Sequence, residues 1–382
     1  MDRLRDKILC NPTVKLTKGE IYPSIGIDKI TSGYKYVSNV DSEPYSGQSC
    51  SKFCKGDTIM ARITPCLENG KIAQYNLDSE LAMGSTEFFV FRGIKDVSDN
   101  DYIYYLTSTD YVRNSAVNSM TGASGRQRAD IKFIGKLKWD FPEYDIQCQI
   151  GKILSNYDDL IEENNRKIEI LQEMAGELYK EWFVRFRFPG YKNTKIENGL
   201  PMGWKTKKYA EEINIKYGKG LPTERLLAEG YPVFGSNGII GYYSKYMYEK
   251  PQILISCRGA SSGVVNISLP NSFVTSNSLV CEMCETLTES TFEYLKYYFL
   301  NTNLVQYQTG SAQPQITIDN IKKLKIVIPP RNIQEKFSSM VIPIDQDLLL
   351  LKNQNKNLKQ QRDLLLPRLM SGKLEVKGDA HA

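Results

Sequence analysis

Histidine is almost missing from this sequence, which has 382 residues and one histidine, His381. A catalytic triad with a histidine base therefore cannot form within the chain. Two ligand-binding signatures are missing as well. No G-x-x-x-x-G-K-[ST] loop is present to hold the phosphates of ATP. No N/D-P-P-Y motif with an F-x-G-x-G stretch is present to bind S-adenosylmethionine. We therefore expect neither ligand in this chain.

Long hydrophobic runs are also missing. No stretch of about 18 apolar residues occurs, so no transmembrane helix is predicted. The polar segment Met1–Asp6 is not followed by an apolar core, which argues against a signal peptide. We expect a cytoplasmic protein that does not associate with membranes.

The eight cysteines are mostly scattered. Cys50 and Cys54 are four positions apart, and Cys281 and Cys284 form a C-x-x-C pair, but these pairs belong to distant parts of the chain. A structural zinc site needs two clustered pairs or a cysteine/histidine set. We expect reduced, mostly buried thiols and no bound metal.

Charge is nearly balanced, with 49 Lys and Arg against 44 Asp and Glu and a net charge of +5. Such a mild excess is compatible with nucleic-acid binding but does not require it.

What the sequence does have is a heptad seam over residues 146–183. Its apolar positions are spaced by threes and fours, and Asn164 fills the one gap. This pattern predicts a long helix that packs on another helix. A second stretch has the same rhythm, with Asn355 and Arg362 among its apolar positions. The two seams are Ile150, Leu154, Tyr157, Ile161, Ile168, Leu171, Ala175, Leu178 and Trp182, and then Phe337, Val341, Ile344, Leu348, Leu351, Leu358, Leu365 and Leu369.

The two seams are copies within a tandem duplication. Asp345 stands 187 positions after Asp158, and Pro329 stands 187 positions after Pro142. The period is too long for a solenoid and indicates two equivalent domains related by an approximate two-fold axis. The predicted segments are a globular domain at 1–141, a long helix at 142–187, a linker with a second globular domain at 188–328, and a second long helix with a tail at 329–382.

The order of apolar and amide residues along the two seams predicts that the helices pair in antiparallel fashion. In that register Asn164 faces Asn355, and this amide pair would fix the alignment. Trp182 faces Phe337 at one end of the seam. Tyr157 faces Arg362, whose guanidinium would stack on the ring or extend past it. Proline adds two local expectations, a kink or delayed start at Pro343 and the end of the second helix at Pro367.

The globular segments contain short β-prone runs separated by turns, such as 58–63 and 253–256. The predicted fold class is therefore α+β. Two β-rich globular domains with short helices are separated by two long antiparallel coiled-coil helices in a pseudo-two-fold repeat. The group Asp57, Glu68 and Lys71 weakly resembles a nuclease cluster, but its spacing is poor and it is not repeated. The sequence favours recognition over catalysis.

Several short motifs together resemble the DNA-specificity (S) subunit of type I restriction-modification enzymes. The resemblance covers essentially the whole chain and rests on the order and duplication of these motifs. One departure is the absence of a Leu-Pro-x-Gly-Trp opening in the first domain. The motifs are G-D-T-I-M-A-R-I-T-P at 56–65, E-N-G-K at 68–71, G-S-T-E-F at 84–88, L-P-M-G-W at 200–204, G-K-G-L-P at 218–222, G-S-N-G at 235–238, Arg258-Gly259 and P-R-L-M-S-G-K-L at 367–374.

The resemblance implies a non-catalytic subunit with two target-recognition domains, each reading one half of a split sequence in double-stranded DNA. The paired helices would act as a ruler, since about 38 residues give roughly 57 Å of helix. They would also dock two methyltransferase (modification) subunits that carry S-adenosylmethionine. Motor-nuclease (restriction) subunits would add ATP- and Mg²⁺-dependent translocation and cleavage.

Candidate DNA contacts are basic and amide side chains in turn-rich segments, because such groups bind phosphates and base edges. They are Arg62, Lys71, Arg126 and Arg128 in the first domain and Lys219, Asn237, Arg258, Gln313 and Gln315 in the second. Two alternatives stay open. One is a DNA-binding specificity cassette without partner subunits of its own. The other is a coiled-coil scaffold with two protein-binding β domains and no DNA specificity.

Overall fold

The computed structural model describes residues 1–38, 40–123, 125–284, 286–310 and 314–376. The chain divides into two compact units. Unit 1 comprises Met1–Lys167 together with the described residues from Leu351 onward, and unit 2 comprises Ile168–Leu350. The predicted globular domains 1–141 and 188–328 each lie inside one unit. The boundary between the units passes through both long helices.

The elements up to the end of the first long helix are β1 (Asp2–Arg3), α1 (Leu4–Lys7), β2 (Ile8–Cys10), β3 (Ile21–Ile25), β4 (Ser42–Pro44), β5 (Ser51–Cys54), β6 (Thr58–Ala61), β7 (Ile72–Gln74), β8 (Leu81–Gly84), β9 (Phe88–Gly93), α2 (Asn100–Ser108), α3 (Asp110–Asn118), α4 (Ile131–Lys136), β10 (Lys138–Trp139) and α5 (Tyr144–Tyr179). A π-helical turn, Lys180–Val184, extends α5.

The elements that follow are β11 (Ile196–Glu197), β12 (Leu200–Pro201), β13 (Lys205–Lys208), α6 (Tyr209–Glu212), β14 (Asn214–Tyr217), β15 (Tyr231–Gly235), β16 (Gly238–Tyr243), β17 (Ile253–Ser256), β18 (Val265–Ile267), β19 (Phe273–Val274), β20 (Ser278–Glu282), α7 (Phe292–Leu300), α8 (Ile318–Ile321), β21 (Lys325–Ile328) and α9 (Arg331–Met370).

Each unit contains an antiparallel four-stranded sheet of the same design. Its strand order is β2-β9-β6-β7 in unit 1 and β14-β20-β17-β18 in unit 2. The central strands β6 and β17 are buried at every position, which explains why they read as short continuous apolar runs. A second sheet in each unit contains a parallel pair, β3 with β8 and β15 with β19. The predicted duplication is therefore present in strand order as well as in sequence.

The long helices pair antiparallel within unit 1, as the seam predicted. Asn164 Nδ2 donates to Asn355 Oδ1 at 2.9 Å, and Asn355 Nδ2 donates to Asn165 Oδ1 at 2.8 Å. The predicted contact between the amides is thus present, with Asn165 as an additional partner. Within unit 2, the rings of Trp182 and Phe337 lie 6.0 Å apart, which is the contact expected at that end of the seam.

The predicted pairing of Arg362 with Tyr157 is wrong. Arg362 instead forms an ion pair with Asp158, the next residue on α5, and both side chains are buried. The Tyr105 hydroxyl donates to the same carboxylate at 2.5 Å. Burial and the neighbouring Asp158 charge raise the pKa of Tyr105, so its hydroxyl keeps the proton that it donates. A buried guanidinium binds a carboxylate in preference to a ring because only the ion pair offsets its desolvation.

Neither proline interrupts α9. The helix is continuous through Pro343 and ends at Met370, so the prediction that Pro367 terminates it is wrong. Leu369 and Met370 belong to the hydrophobic core of unit 1, and their burial offsets the hydrogen bond that Pro367 cannot donate. The helix ends two residues before Gly372, whose φ of +70° is typical of a glycine that follows a helix C-terminus. Among the residues described, no helix is both long and apolar enough to span a bilayer.

Replacing Arg362 with Met should destabilise unit 1 by about 3–5 kcal/mol, because Asp158 would remain buried without its cation. Chemical denaturation followed by circular dichroism measures the change. The exposed Arg368 on the same helix provides a matched control, and Arg368→Met should shift the midpoint little. Equal shifts for the two variants would contradict a stabilising role for the buried ion pair.

Candidate nucleic-acid interface

In unit 1, the segment from Thr121 to Arg128 is closed at its ends by two backbone hydrogen bonds. Thr121 N donates to Arg128 O at 3.0 Å, and Arg128 N donates to Thr121 O at 2.9 Å. The segment is fixed beside the end of β6, because Ala129 N donates to Arg62 O at 2.8 Å. This arrangement brings Arg62 and Arg128, two of the predicted contact residues, to one edge of the unit.

Both arginines bind one carboxylate, that of Glu87. Arg128 Nε and Nη2 hold Glu87 Oε1 at 3.0 and 2.6 Å, and Arg62 Nε lies 3.2 Å from Oε2. The Arg62 guanidinium also lies 5.7 Å from the centre of the Phe89 ring. The hydrogen bonds from Arg128, together with the one from Arg62, hold the pKa of Glu87 below its usual value despite partial burial. The cluster therefore carries a net charge of +1 and presents two oriented guanidinium groups.

Arg126 and Lys71 differ in how free their charges are. Arg126 is exposed, and no hydrogen bond or ion pair joins its side chain to the described part of the chain. Its charge is therefore available to an anion such as a phosphate. Lys71 is half-buried, and its Nζ donates to Ile27 O at 2.8 Å. The structure thus gives Lys71 a bond within the protein, while Arg126 can bind an external group.

Unit 2 repeats this framework with different side chains. Thr309 and Gln315 exchange two backbone hydrogen bonds, each 2.9 Å long. Ile316 N donates to Cys257 O at 3.0 Å. The backbone of Gln315 also bridges to Arg258, and both side chains are exposed. The structure therefore brings Arg258 and Gln315 together, whereas Gln313 lies outside the described residues.

The remaining candidates of unit 2, Asn237 and Lys219, lie in loops that are bonded to β17 and β19. Asn237 is exposed in the turn between β15 and β16, and Gly238, the first residue of β16, takes a φ of +88° directly after this turn. The carbonyl of Ser236 accepts from the Ser256 hydroxyl, which ties the turn to the end of β17. Lys219 is exposed, and its backbone N donates to Val274 O at 3.0 Å. Contact of any of these residues with DNA remains a prediction.

Sequence reasoning missed Glu87. It lies in the G-S-T-E-F motif, and the only available signal was its position as the single acid of that motif. The weak nuclease cluster around Asp57 has a structural explanation. Arg92 Nε and Nη2 bind the two Asp57 carboxylate oxygens, each at 2.6 Å, and this carboxylate is fully buried. Within the described ranges, no group of three or more His, Cys, Asp or Glu side chains is arranged to hold a metal ion.

Comparison with known proteins gives a consistent result. The family model of the type I restriction modification DNA specificity domain matches residues 9–172 and 201–360. The type I restriction enzyme MjaIX specificity subunit of Methanocaldococcus jannaschii is 28% identical over 313 residues, which are 75% of this chain and 72% of that protein. The HindI specificity subunit of Haemophilus influenzae is 22% identical, covering 88% of this chain and 90% of that protein.

A solved structure has the same fold. The type I restriction-modification S subunit from M. genitalium aligns with a TM-score of 0.58 and 19% identity, covering 96% of this chain and 95% of that one.

Replacing Glu87 with Gln should destabilise unit 1 slightly at neutral pH, by about 1 kcal/mol or less, since two arginines would lose their shared anion. The pKa of Glu87 is lowered in the folded state, so its contribution is present above the unfolded carboxyl pKa of about 4.3. That contribution is lost as the pH falls through the folded value. Thermal melts should therefore separate the variant from the parent at pH 7, and the difference should shrink as the pH is lowered below the unfolded carboxyl pKa of about 4.3.

The exposed Glu80 provides the control, and the melting temperature of Glu80→Gln should follow that of the parent protein over the whole pH range. If the difference in melting temperature between Glu87→Gln and the parent did not change with pH, the charge of the Glu87 carboxylate would not contribute to stability.

Proposed function

This chain belongs to the type I restriction-modification DNA specificity family, and from that membership we propose that it selects a two-part duplex sequence for a type I complex. The observation that carries the proposal is the repeated framework beside β6 and β17. In each unit basic or amide side chains lie near the end of a buried strand, and such side chains are the ones that bind base edges and phosphates. Unit 1 would read one half of the sequence and unit 2 the other.

The long helices would set the spacing of the two half-sites. Helix α5 has 36 residues and α9 has 40, so at about 1.5 Å per residue each measures roughly 54–60 Å. A duplex turn is about 34–36 Å long, so such helices have ample length to separate two readers by a turn.

The chemistry would reside in partner subunits. Two methyltransferase subunits would bring S-adenosylmethionine, and motor-nuclease subunits would bring ATP and Mg²⁺. The helices offer apolar side chains to such partners, since Ile170 and Met174 of α5 are 56% and 55% exposed and Leu364 of α9 is 71% exposed. Ile170 and Met174 lie four positions apart and so share one face of α5, and adjoining exposed apolar side chains can form a protein-binding surface.

Exchanging residues 200–328 for the corresponding segment of another family member should change one half of the methylated sequence and leave the other half intact. The modification complex is reconstituted with each version, and methylated sites are mapped on genomic DNA. The reciprocal exchange of residues 1–141 is the matched control. If an exchange altered both halves or neither, the assignment of one half-site to each unit would be wrong.

Replacing Arg126 with Ala should weaken binding about equally for all duplexes, because an unpaired exposed cation contacts phosphates. The slope of log K against log salt should fall by about one. Filter binding of the complex at several salt concentrations measures it, and Arg166→Ala, which removes an exposed cation of α5, should leave the slope unchanged. A complex without salt-dependent DNA affinity would instead support the scaffold alternative.

A further inference from the structure

The Arg62–Glu87–Arg128 cluster of unit 1 has an equivalent set of positions in unit 2. Arg62 N donates to Glu87 O at 2.9 Å, and in unit 2 Cys257 N donates to Asn277 O at 2.9 Å. The residue that follows Arg128 donates to Arg62 O, and the residue that follows Gln315 donates to Cys257 O. The equivalent positions are therefore Arg62 and Cys257, Glu87 and Asn277, and Arg128 and Gln315.

The turn that precedes β9 and β20 supports the same alignment. Phe88 N donates to Ser85 O at 3.2 Å, and Ser278 N donates to Thr275 O at 3.1 Å. In addition, Gln315 stands 187 positions after Arg128, which is the shift of the sequence duplication. One backbone scaffold thus carries two different sets of side chains at its edge, a charged set in unit 1 and a largely amide set in unit 2.

The orientation of Arg128 leaves one end of its guanidinium free. Its Nε and Nη2 bind Glu87, while Nη1 has no partner in the part of the chain that the structure describes. The side chain is 45% exposed, so it can be reached from solvent at the edge of the unit. An arginine held in place by a carboxylate loses little further freedom on binding, and its planar donors match O6 and N7 of guanine.

Gln315 has the same placement but another chemistry. Its backbone is held on both faces, by Thr309 and by Arg258, and its side chain is exposed. The neighbouring position is Asn277, also exposed, so no carboxylate occupies the place of Glu87. A glutamine amide donates and accepts at once, which matches N7 and N6 of adenine.

Building on the proposed function, we propose that Arg128, positioned by Glu87, reads a guanine in the half-site of unit 1. At the equivalent position of unit 2, Gln315 reads an adenine. The difference between the two halves of the target then depends on the side chains carried by one shared scaffold. Glu87 acts as a positioning residue in this arrangement, since it orients Arg128 and makes no base contact of its own.

The test uses the full chain in complex with its modification subunits. Methylated sites are mapped first, and affinities are then measured for duplexes with each base of the site varied. Arg128→Gln should reduce the preference for guanine at one position of one half-site by about 5- to 150-fold and favour adenine there. Gln315→Arg should produce the opposite change at one position of the other half-site.

Two further variants separate base reading from phosphate binding. Arg128→Lys keeps the positive charge but loses the planar pair of guanidinium donors. Discrimination between bases should therefore fall, while the slope of log K against log salt concentration stays the same. Glu87→Gln should also weaken discrimination at the same guanine. If Arg128 bound only phosphates, Glu87→Gln would release a cation, and affinity for every duplex would rise together with the salt slope.

The outcomes distinguish this inference from the proposed function. A parent complex that selects a two-part sequence, combined with Arg128→Gln and Gln315→Arg variants of unchanged base preference, would overturn the inference alone. A parent complex without sequence preference would overturn the proposed function. Arg126→Gln serves as the matched control and should lower affinity equally for all duplexes. Circular dichroism confirms that each variant is folded.

Discussion

A carboxylate on each long helix joins the globular part of a unit to its helical part. In unit 1, Asp158 accepts from Tyr105 of α2 and pairs with Arg362 of α9, so three helices meet at one anion. In unit 2, Asp345 accepts from Tyr297 and Lys296 of α7. Removing a carboxylate from water is costly unless cations and hydroxyls replace the lost hydration. The requirement for these partners fixes where the short helices sit on the long ones.

The duplication explains how one architecture serves two recognition tasks. Positions that hold the framework, such as the backbone bond from Ala129 to Arg62 and that from Ile316 to Cys257, are repeated. Positions whose side chains point outward differ, since Glu87 is replaced by Asn277 and Arg128 by Gln315. Backbone hydrogen bonds do not depend on side-chain identity, so the exposed edge can change without cost to the sheet beneath it.

The sequence alone predicted the features that depend on periodicity. The helical seam, the antiparallel register through Asn164 and Asn355 and the two β-rich domains all follow from spacing. It did not predict the partner of Arg362. Tyr157 and Asp158 are adjacent in the sequence, and only the burial of Arg362 makes the Asp158 carboxylate its partner instead of the Tyr157 ring. The end of α9 beyond Pro367 depends on core packing, which local propensity does not contain. The Glu87 cluster joins residues 25 and 41 positions apart and required the sheet to be known.

Unit 1 is built from two separated parts of the chain, Met1–Lys167 and the residues from Leu351 onward. During synthesis on the ribosome, unit 2 is therefore complete before unit 1. Until the end of α9 emerges, Ile150 and Leu154 lack their partners Leu365 and Leu369, and Asp158 lacks its cation. The nascent chain must keep this apolar surface from aggregating while the intervening residues are translated. Folding of the first unit is thereby linked to the translation of α9.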